Sequence, residues 1–310
     1  MTRAAAMTTH LLLDTSSLMF RAFFSVPVTV VGRDRRPVNA VHGYLDMTAR
    51  LIDRVRPDEC VHVFDNDWRP APRVAEYEGY KAQRAPDPEG LPEQFELLRE
   101  VLEAIGLPHA EAEGWEAEDA IGALAARGGP NDRFEIVTGD RDLLQLVRDP
   151  VVRVLFTVRG VSELREFDEA GVLEHYGVPA SRYADFATLR GDPSDGLPGV
   201  RGVGEKTARA LVEAYPSLEA LMGEARAERR RPGPLQGAGR LIATLRDSGE
   251  YLDAMRRVVP IRTDVDVEVT RTDPDPERLE GLAKAHRLVG PVERLQRTLA
   301  LVAPSQEADK

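Results

Sequence analysis

The feature that most constrains the fold is a short apolar run closing on an acid, used three times. HLLLD ends at Asp14, CVHVFD at Asp65 and FEIVTGD at Asp140, with Asp142 two residues on. Each run has the length of a buried strand and is too short for a helix. Between them, residues 45–55 and 95–105 carry apolar side chains at helical spacing. Strands alternating with helices predict a parallel α/β sheet, whose ligands bind beyond the carboxyl ends of the strands. Asp14, Asp65, Asp140 and Asp142 would therefore meet at one edge. One acid after a strand is ordinary helix capping; three in register are not explained by capping alone.

Two further segments add acids. GWEAEDAIGALAA opens a helix with Glu116, Glu118 and Asp119 in its first turn. Acids there suit the helix macrodipole without any other role, so this segment alone leaves both readings open. Glu116 and Asp119 are three apart and share a helical face. RGDPSDGLPGVRGVGEKTA places Asp192 and Asp195 in a Gly/Pro-rich turn, then Gly199, Gly202 and Gly204, then Lys206 and Thr207. That glycine pattern is the one used by a helix-hairpin-helix, whose tight turn aims backbone N–H groups at a nucleic-acid phosphate. A Gly-rich turn beside helix-capping acids is the plain alternative. Taken together, acids and hairpin predict a metal-dependent enzyme acting on a nucleic-acid backbone.

Net charge runs against this at first sight, since the chain carries −11 at pH 7 and phosphate backbones attract basic surfaces. Setting aside the nine acids named above leaves about −2, and bound cations would reverse the local sign. The balance therefore argues against a protein that coats DNA nonspecifically, not against a localised site. At 310 residues there is room for one large domain or two small ones. No apolar run approaches the ~18 residues of a membrane span, and MTRAAAMTTH lacks the apolar segment of a signal peptide. The single cysteine, Cys60, lies in an apolar run, which excludes an internal disulfide and a Cys-based zinc site. A cytoplasmic monomer is expected.

Further along, residues 151–161 read as a β-ribbon turning near Arg159-Gly160, followed by a helix over about 168–176. Residues 181 to about 256 read as a small helical subdomain, within which Arg226 and Arg229 to Arg231 form a basic loop. Residues 264–277 are acidic and Pro-containing and read as extended along the surface; a last helix is expected over 276–301 and disorder over 303–310. Residues 68–92 are polar, carry Arg69, Arg73, Lys81 and Arg84, and interleave Tyr77 and Tyr80. Basic residues among aromatics suit single-stranded nucleic acid, by charge and base stacking; a mobile surface loop is the alternative. The segment directly follows the Asp65 strand, so it can cover the acidic edge.

Breaking a phosphodiester with water needs an activated nucleophile and neutralised charge on the attacking and leaving oxygens, and two divalent ions do both. So many acids in one place require cations to offset their repulsion. No histidine has metal-ligand spacing or lies next to the acids, which favours Mg²⁺ or Mn²⁺ over zinc. There is no G-x-S-x-G elbow, and the spacing in GVRGVGEKT is wrong for a P-loop.

These ordered motifs resemble the 5′-nuclease domain of bacterial DNA polymerase I and the wider flap endonuclease family, over residues 10 to 265. LLLDTSSLMFRAF resembles the opening strand and helix, with Asp14 a metal acid and Arg21 a phosphate contact. EGYKAQRAP resembles the arch at about 68–92, which implies substrate-side roles for Tyr80, Lys81 and Arg84, with Arg73 on the same segment. The resemblance implies one metal position served by Asp14, Asp65, Glu116, Glu118 and Asp119. A second would be served by Asp140, Asp142, Asp192 and Asp195. It also implies a K⁺ ion on backbone carbonyls near Gly199 to Gly204. Two positions depart from the bacterial pattern: Glu118 where Asp is usual, and Phe20 where Tyr is usual. The implied fold is α/β, a PIN-like parallel-sheet nuclease domain over 8–180 with a helix-hairpin-helix (helix-three-turn-helix) subdomain over 181–265 and a C-terminal extension over 266–310. The implied activity is a stand-alone, two-metal 5′→3′ exonuclease and flap endonuclease in replication and repair. Its substrates would be branched or 5′-flap DNA and RNA primers, with Lys81, Arg84, Arg21 and Asp140 at the reacting phosphate. Gly199, Gly202, Gly204, Lys206 and Thr207 would hold duplex. The rival reading is a structure-specific DNA-binding protein with weak or no catalysis; its expected signature, lost acids, is absent.

Overall fold

The three acid-ending runs form adjacent parallel strands. A computed structural model describes residues 7–227, 234–235 and 237–302. Strands β1 (Thr8–Asp14), β2 (Glu59–Val63), β3 (His109–Glu111), β4 (Asp132–Thr138), β5 (Val152–Arg159), β6 (Glu163–Phe167) and β7 (Glu268–Thr270) make one sheet in the order β6-β5-β4-β1-β2-β3-β7. All neighbours are parallel except the two edge pairs, β5 with β6 and β3 with β7. Side chains alternate across the pleat, so Leu12, Val61 and Ile136 enter one core while Leu11, Leu13 and Val137 enter the other.

Helices α1 (Thr15–Ser25), α2 (Asn39–Val55), α3 (Ala71–Glu76), α4 (Leu91–Ile105) and α5 (Ala117–Ala126) belong to the first half of the chain. Local chemistry sets their ends. Asp14 accepts from the Ser17 amide and caps α1, and Gly106 takes the left-handed conformation (φ 85°) that closes α4. After the β5–β6 hairpin come α6 (Glu169–Tyr176), α7 (Tyr183–Arg190), α8 (Glu205–Ala214), α9 (Leu218–Arg226), α10 (Gly239–Asp247) and α11 (Gly249–Val258). Buried side chains of α7 to α11 join the core that holds Leu12 and α5.

Several expectations change. The second arm of the ribbon is β6, beyond Val161, with the turn at Gly160 (φ 56°). The acidic segment 264–277 does not simply trail along the surface: β7 pairs antiparallel with β3 and closes that edge of the sheet. The last helix is two, α12 (Pro276–Ala285) and α13 (Val289–Val302). Arg287 turns left-handed between them (φ 55°), which buries Leu288 and lets α13 lie on α2 while α12 packs on α4. The segment read as a C-terminal extension is thus part of the second core. Arg229 to Arg231 and residues 303–310 lie outside the described residues. No described helix is long and apolar enough to cross a membrane.

Candidate active site

Asp14 is the last residue of β1, Asp65 follows β2 by two residues and Asp140 follows β4 by two. The order β4-β1-β2 therefore brings all three to one sheet edge. A set of short hydrogen bonds fixes them. Thr138 Oγ1 donates to Asp14 Oδ2 (2.6 Å) and accepts from the Asp140 amide (2.8 Å). The Ala117 amide donates to Asp65 Oδ1 (2.7 Å), and the Asp142 amide to Asp140 Oδ1 (2.9 Å). The Gly139 amide donates to Ser17 Oγ (2.8 Å), and a Cβ on Gly139 would lie 2.8 Å from Arg21 Nη2. Glycine is what lets the chain turn here so close to α1.

Burial raises the carboxyls of Asp14, Asp65 and Asp142, and their neighbours add to it. Asp14 is pushed up to about 7, chiefly by burial and then by Asp65 and Asp140, against the Thr138 hydrogen bond. Asp142 is raised well above the carboxylate range by burial, then by Asp140, Asp195 and Asp192. Asp65 is raised by burial and by Glu116. Among the described residues, no Lys or Arg side-chain nitrogen comes within 4.0 Å of a carboxylate oxygen of Asp14, Asp65, Asp140 or Asp142.

The other acids already have cations. Arg73, 2% exposed, donates from Nη1 to Glu116 Oε2 (2.5 Å) and Asp119 Oδ2 (3.0 Å), and from Nη2 to Asp119 Oδ1 (2.8 Å). Its Nη1 is 3.0 Å from Glu118 Oε1, and its Nε donates to the Val258 carbonyl (3.0 Å) at the end of α11. The Arg262 amide also donates to Asp119 Oδ1 (2.9 Å). Glu116, Glu118 and Asp119 have oxygens close enough to share one cation, and a guanidinium fills that role. Three protein donors thus already engage the fully buried Asp119 carboxylate. Tyr80 Oη donates to Glu116 Oε2 (2.6 Å), and Lys81 Nζ pairs with Glu116. Arg84 Nη2 donates to Asp195 Oδ1 (2.8 Å). Arg141 and Arg190 stand 3.9 and 3.8 Å from Asp192. Burial alone would lower the Lys81 pKa, but Glu116, Asp195 and Glu118 carry it upward.

Two residues expected to face DNA therefore do not. Arg73 and Tyr80 are buried behind the acids, where they pair with carboxylates whose charge would otherwise be buried without a partner. Lys81, at φ 53°, is likewise turned inward, its amide bonded to the Asp195 carbonyl (2.8 Å). Lys81 nevertheless lines, with Arg84 and Arg21, an open cleft of about 1050 Å³ that also holds Asp14, Asp65, Glu116, Asp140 and Asp192.

The glycine-rich turn divides in two. The Gly199 amide donates to Tyr251 Oη (3.0 Å), and its Cβ position would be 2.6 Å from the Gly191 nitrogen, so Gly199 serves the turn itself, not a phosphate. Gly202 (φ 76°), Gly204, Lys206 and Thr207 lie at the start of α8, whose first-turn amides have no intrahelical carbonyl. Lys206 is exposed. The positioning roles of Ser17, Thr138 and Arg262 escape the sequence reading. Only Thr138, two residues before Asp140, stood beside a signal.

Residues 9–177 match the family described as 5′-3′ exonuclease, N-terminal resolvase-like domain, and residues 178–280 match 5′-3′ exonuclease, C-terminal SAM fold. A 5′-3′ exonuclease of Mycobacterium tuberculosis is 43% identical, over 93% of this chain and 96% of its own. DNA polymerase I of Mycobacterium bovis is 39% identical over 90% of this chain but only 29% of its own length. Among solved structures, the bacteriophage T5 D15 flap endonuclease, in a pseudo-enzyme-product complex with DNA and metal ions, aligns with a TM-score of 0.61. It does so at 18% identity, over 96% of this chain and all of the phage chain.

Proposed function

This chain belongs to the 5′-3′ exonuclease family, and from that premise we propose that it hydrolyses DNA phosphodiesters at 5′ ends and 5′ flaps with two divalent cations. One observation carries the reading: the carboxylates of Asp14 and Asp142, buried, and of Asp65 and Asp140, half-buried, stand at one sheet edge with no Lys or Arg side chain paired to them among the described residues. Buried charge of one sign calls for a counter-charge, and an oxygen-only donor set fits a hard cation such as Mg²⁺ or Mn²⁺. Those four would hold the ions together with Glu116, Asp192 and Asp195, while Glu118 and Asp119 hold Arg73. Cations there would supply an acidified water and neutralise charge on the phosphate.

The protein's own residues do the rest. Thr138 and Ser17 hold the acids in place. Arg84 and Arg21 line the cleft where negative charge grows on a bound phosphate, and preorganised donors lower the barrier there. Lys81 reaches that phosphate only by leaving Glu116. The first turn of α8, with Gly202, Gly204, Lys206 and Thr207, would hold duplex through amides and one ammonium, and the Gly199–Gly204 turn would take K⁺. The reading keeps the unit boundaries near 180 and 265, RNA primers as further substrates, and a cytoplasmic monomer. The T5 complex with DNA and metal ions supports it through a shared fold.

The test is cleavage of a 5′-labelled flap DNA with Mg²⁺, with Mn²⁺ and with chelator, beside Asp140→Ala. Metal-dependent release at the junction is expected, reduced by orders of magnitude in the variant with DNA binding kept. Tight binding without metal-dependent cleavage would establish the binding-protein reading instead.

A further inference from the structure

Of nine Phe, seven Tyr and two Trp in the chain, two side chains are exposed: Phe24 at 73% and Trp68 at 48%. Both line the acidic cleft, Phe24 at the end of α1 and Trp68 just beyond Asp65. Scattered single exposed apolar residues are ordinary. Here the whole aromatic exposure of the molecule falls in one place, while the tyrosines of the 68–92 segment are turned inward. Phe24 is held through its ring and Trp68 through the backbone beside it. Phe24 packs edge-on against Phe23 with centroids 5.4 Å apart. The chain at Trp68 is pinned by the Arg69 amide on Asp67 Oδ1 (2.9 Å) and by Arg69 Nε on the Tyr80 carbonyl (2.7 Å).

We propose that Phe24 and Trp68 are the stacking residues that make this cleft select an unpaired strand. The proposal rests on the nuclease reading and deepens it. Bases within a duplex have both faces covered by their neighbours, so only unpaired bases offer a π-face to a side chain. Held aromatic rings meet such faces without regard to sequence and with little ordering cost. Arg21 and Arg84, in the same cleft, suit the strand's phosphates. The expected ligand is therefore single-stranded nucleic acid threaded past Phe24 and Trp68 toward Asp14 and Asp140.

The test is binding in chelator, where nothing is cut. Two labelled flap DNAs are compared, one with a thymidine flap and one whose flap is built of abasic residues, beside a blunt duplex. Trp68 emission is read in Trp115→Phe protein, and affinity by anisotropy. The thymidine flap should quench Trp68 and the abasic flap should not. Phe24→Ala and Trp68→Ala should each weaken thymidine-flap binding roughly 5- to 30-fold, leaving abasic-flap and duplex binding unchanged. Equal losses on thymidine and abasic flaps, or no loss on thymidine, would overturn the proposal. Because neither readout requires cleavage, failure of the nuclease reading appears separately, as intact DNA in Mg²⁺ or Mn²⁺.

Discussion

Arg73→Gln removes one buried cation from three carboxylates. In the folded chain that guanidinium is 2% exposed and engages Glu116, Glu118, Asp119 and the Val258 carbonyl. Taking one partner from a buried ion pair costs about 3–5 kcal/mol, a large share of the ~5–15 kcal/mol that holds a domain folded. The cost depends on pH in a defined direction. Glu118 and Asp119 are raised, by burial first and despite Arg73. A carboxyl whose folded pKa exceeds its unfolded one binds its proton more tightly when folded, so stability falls as pH climbs from about 4 toward the folded pKa. Without Arg73 these values rise further. Raised values leave less charge to be orphaned at pH 5 than at pH 7.5, so at pH 5 the variant should lose less, about 1–3 kcal/mol. At pH 7.5 it should lose about 3–5 kcal/mol. Urea unfolding in chelator at the two pH values measures both, with Arg73→Lys as the charge-keeping control. A penalty below about 1 kcal/mol at pH 7.5, or one that is the same at both pH values, would refute the counter-ion role.

Other predictions follow the same geometry. Thr138→Val removes the donor that opposes the rise in Asp14, so the acidic limb of the pH–rate profile should move up by about one unit; an unmoved limb would mean that Asp14 does not titrate in the rate. Lys206→Ala, at the exposed start of α8, should weaken duplex binding and lower the salt slope by about one without changing cleavage at saturating DNA. A slope equal to that of the parent protein would take Lys206 out of the interface.

The catalytic edge was legible because its signals are local and periodic. A short continuous apolar run that stops at Asp14, Asp65 or Asp140 announces both a buried strand and its end. The 3.6-residue period did the same for α2 and α4. What stayed hidden depends on contacts distant in sequence. Nothing in residues 264–277 says that Val269 will sit opposite Ala110, because a three-residue edge strand has almost no pattern of its own. The break at Arg287 is an exception that was written locally: Pro291 has no N–H for the Arg287 carbonyl and its ring would clash with it, so one helix cannot run through. Arg73 and Tyr80 were read by their polarity, which suits water and buried carboxylates equally. Only the three-dimensional position of Glu116 and Asp119 decides between them.

The pairing of β7 with β3 has a consequence for how the protein is made. During synthesis β1, β2 and β4 leave the ribosome long before residues 268–302, yet the outer edge of β3 and the surface of α2 under α13 await that last segment. Chains emerge at only about 5–20 residues per second, so the nascent chain spends seconds with an open sheet edge and an uncovered apolar helix face before residues 268–302 arrive. Its sheet is thus finished only when its last helices arrive, late in the life of the nascent chain.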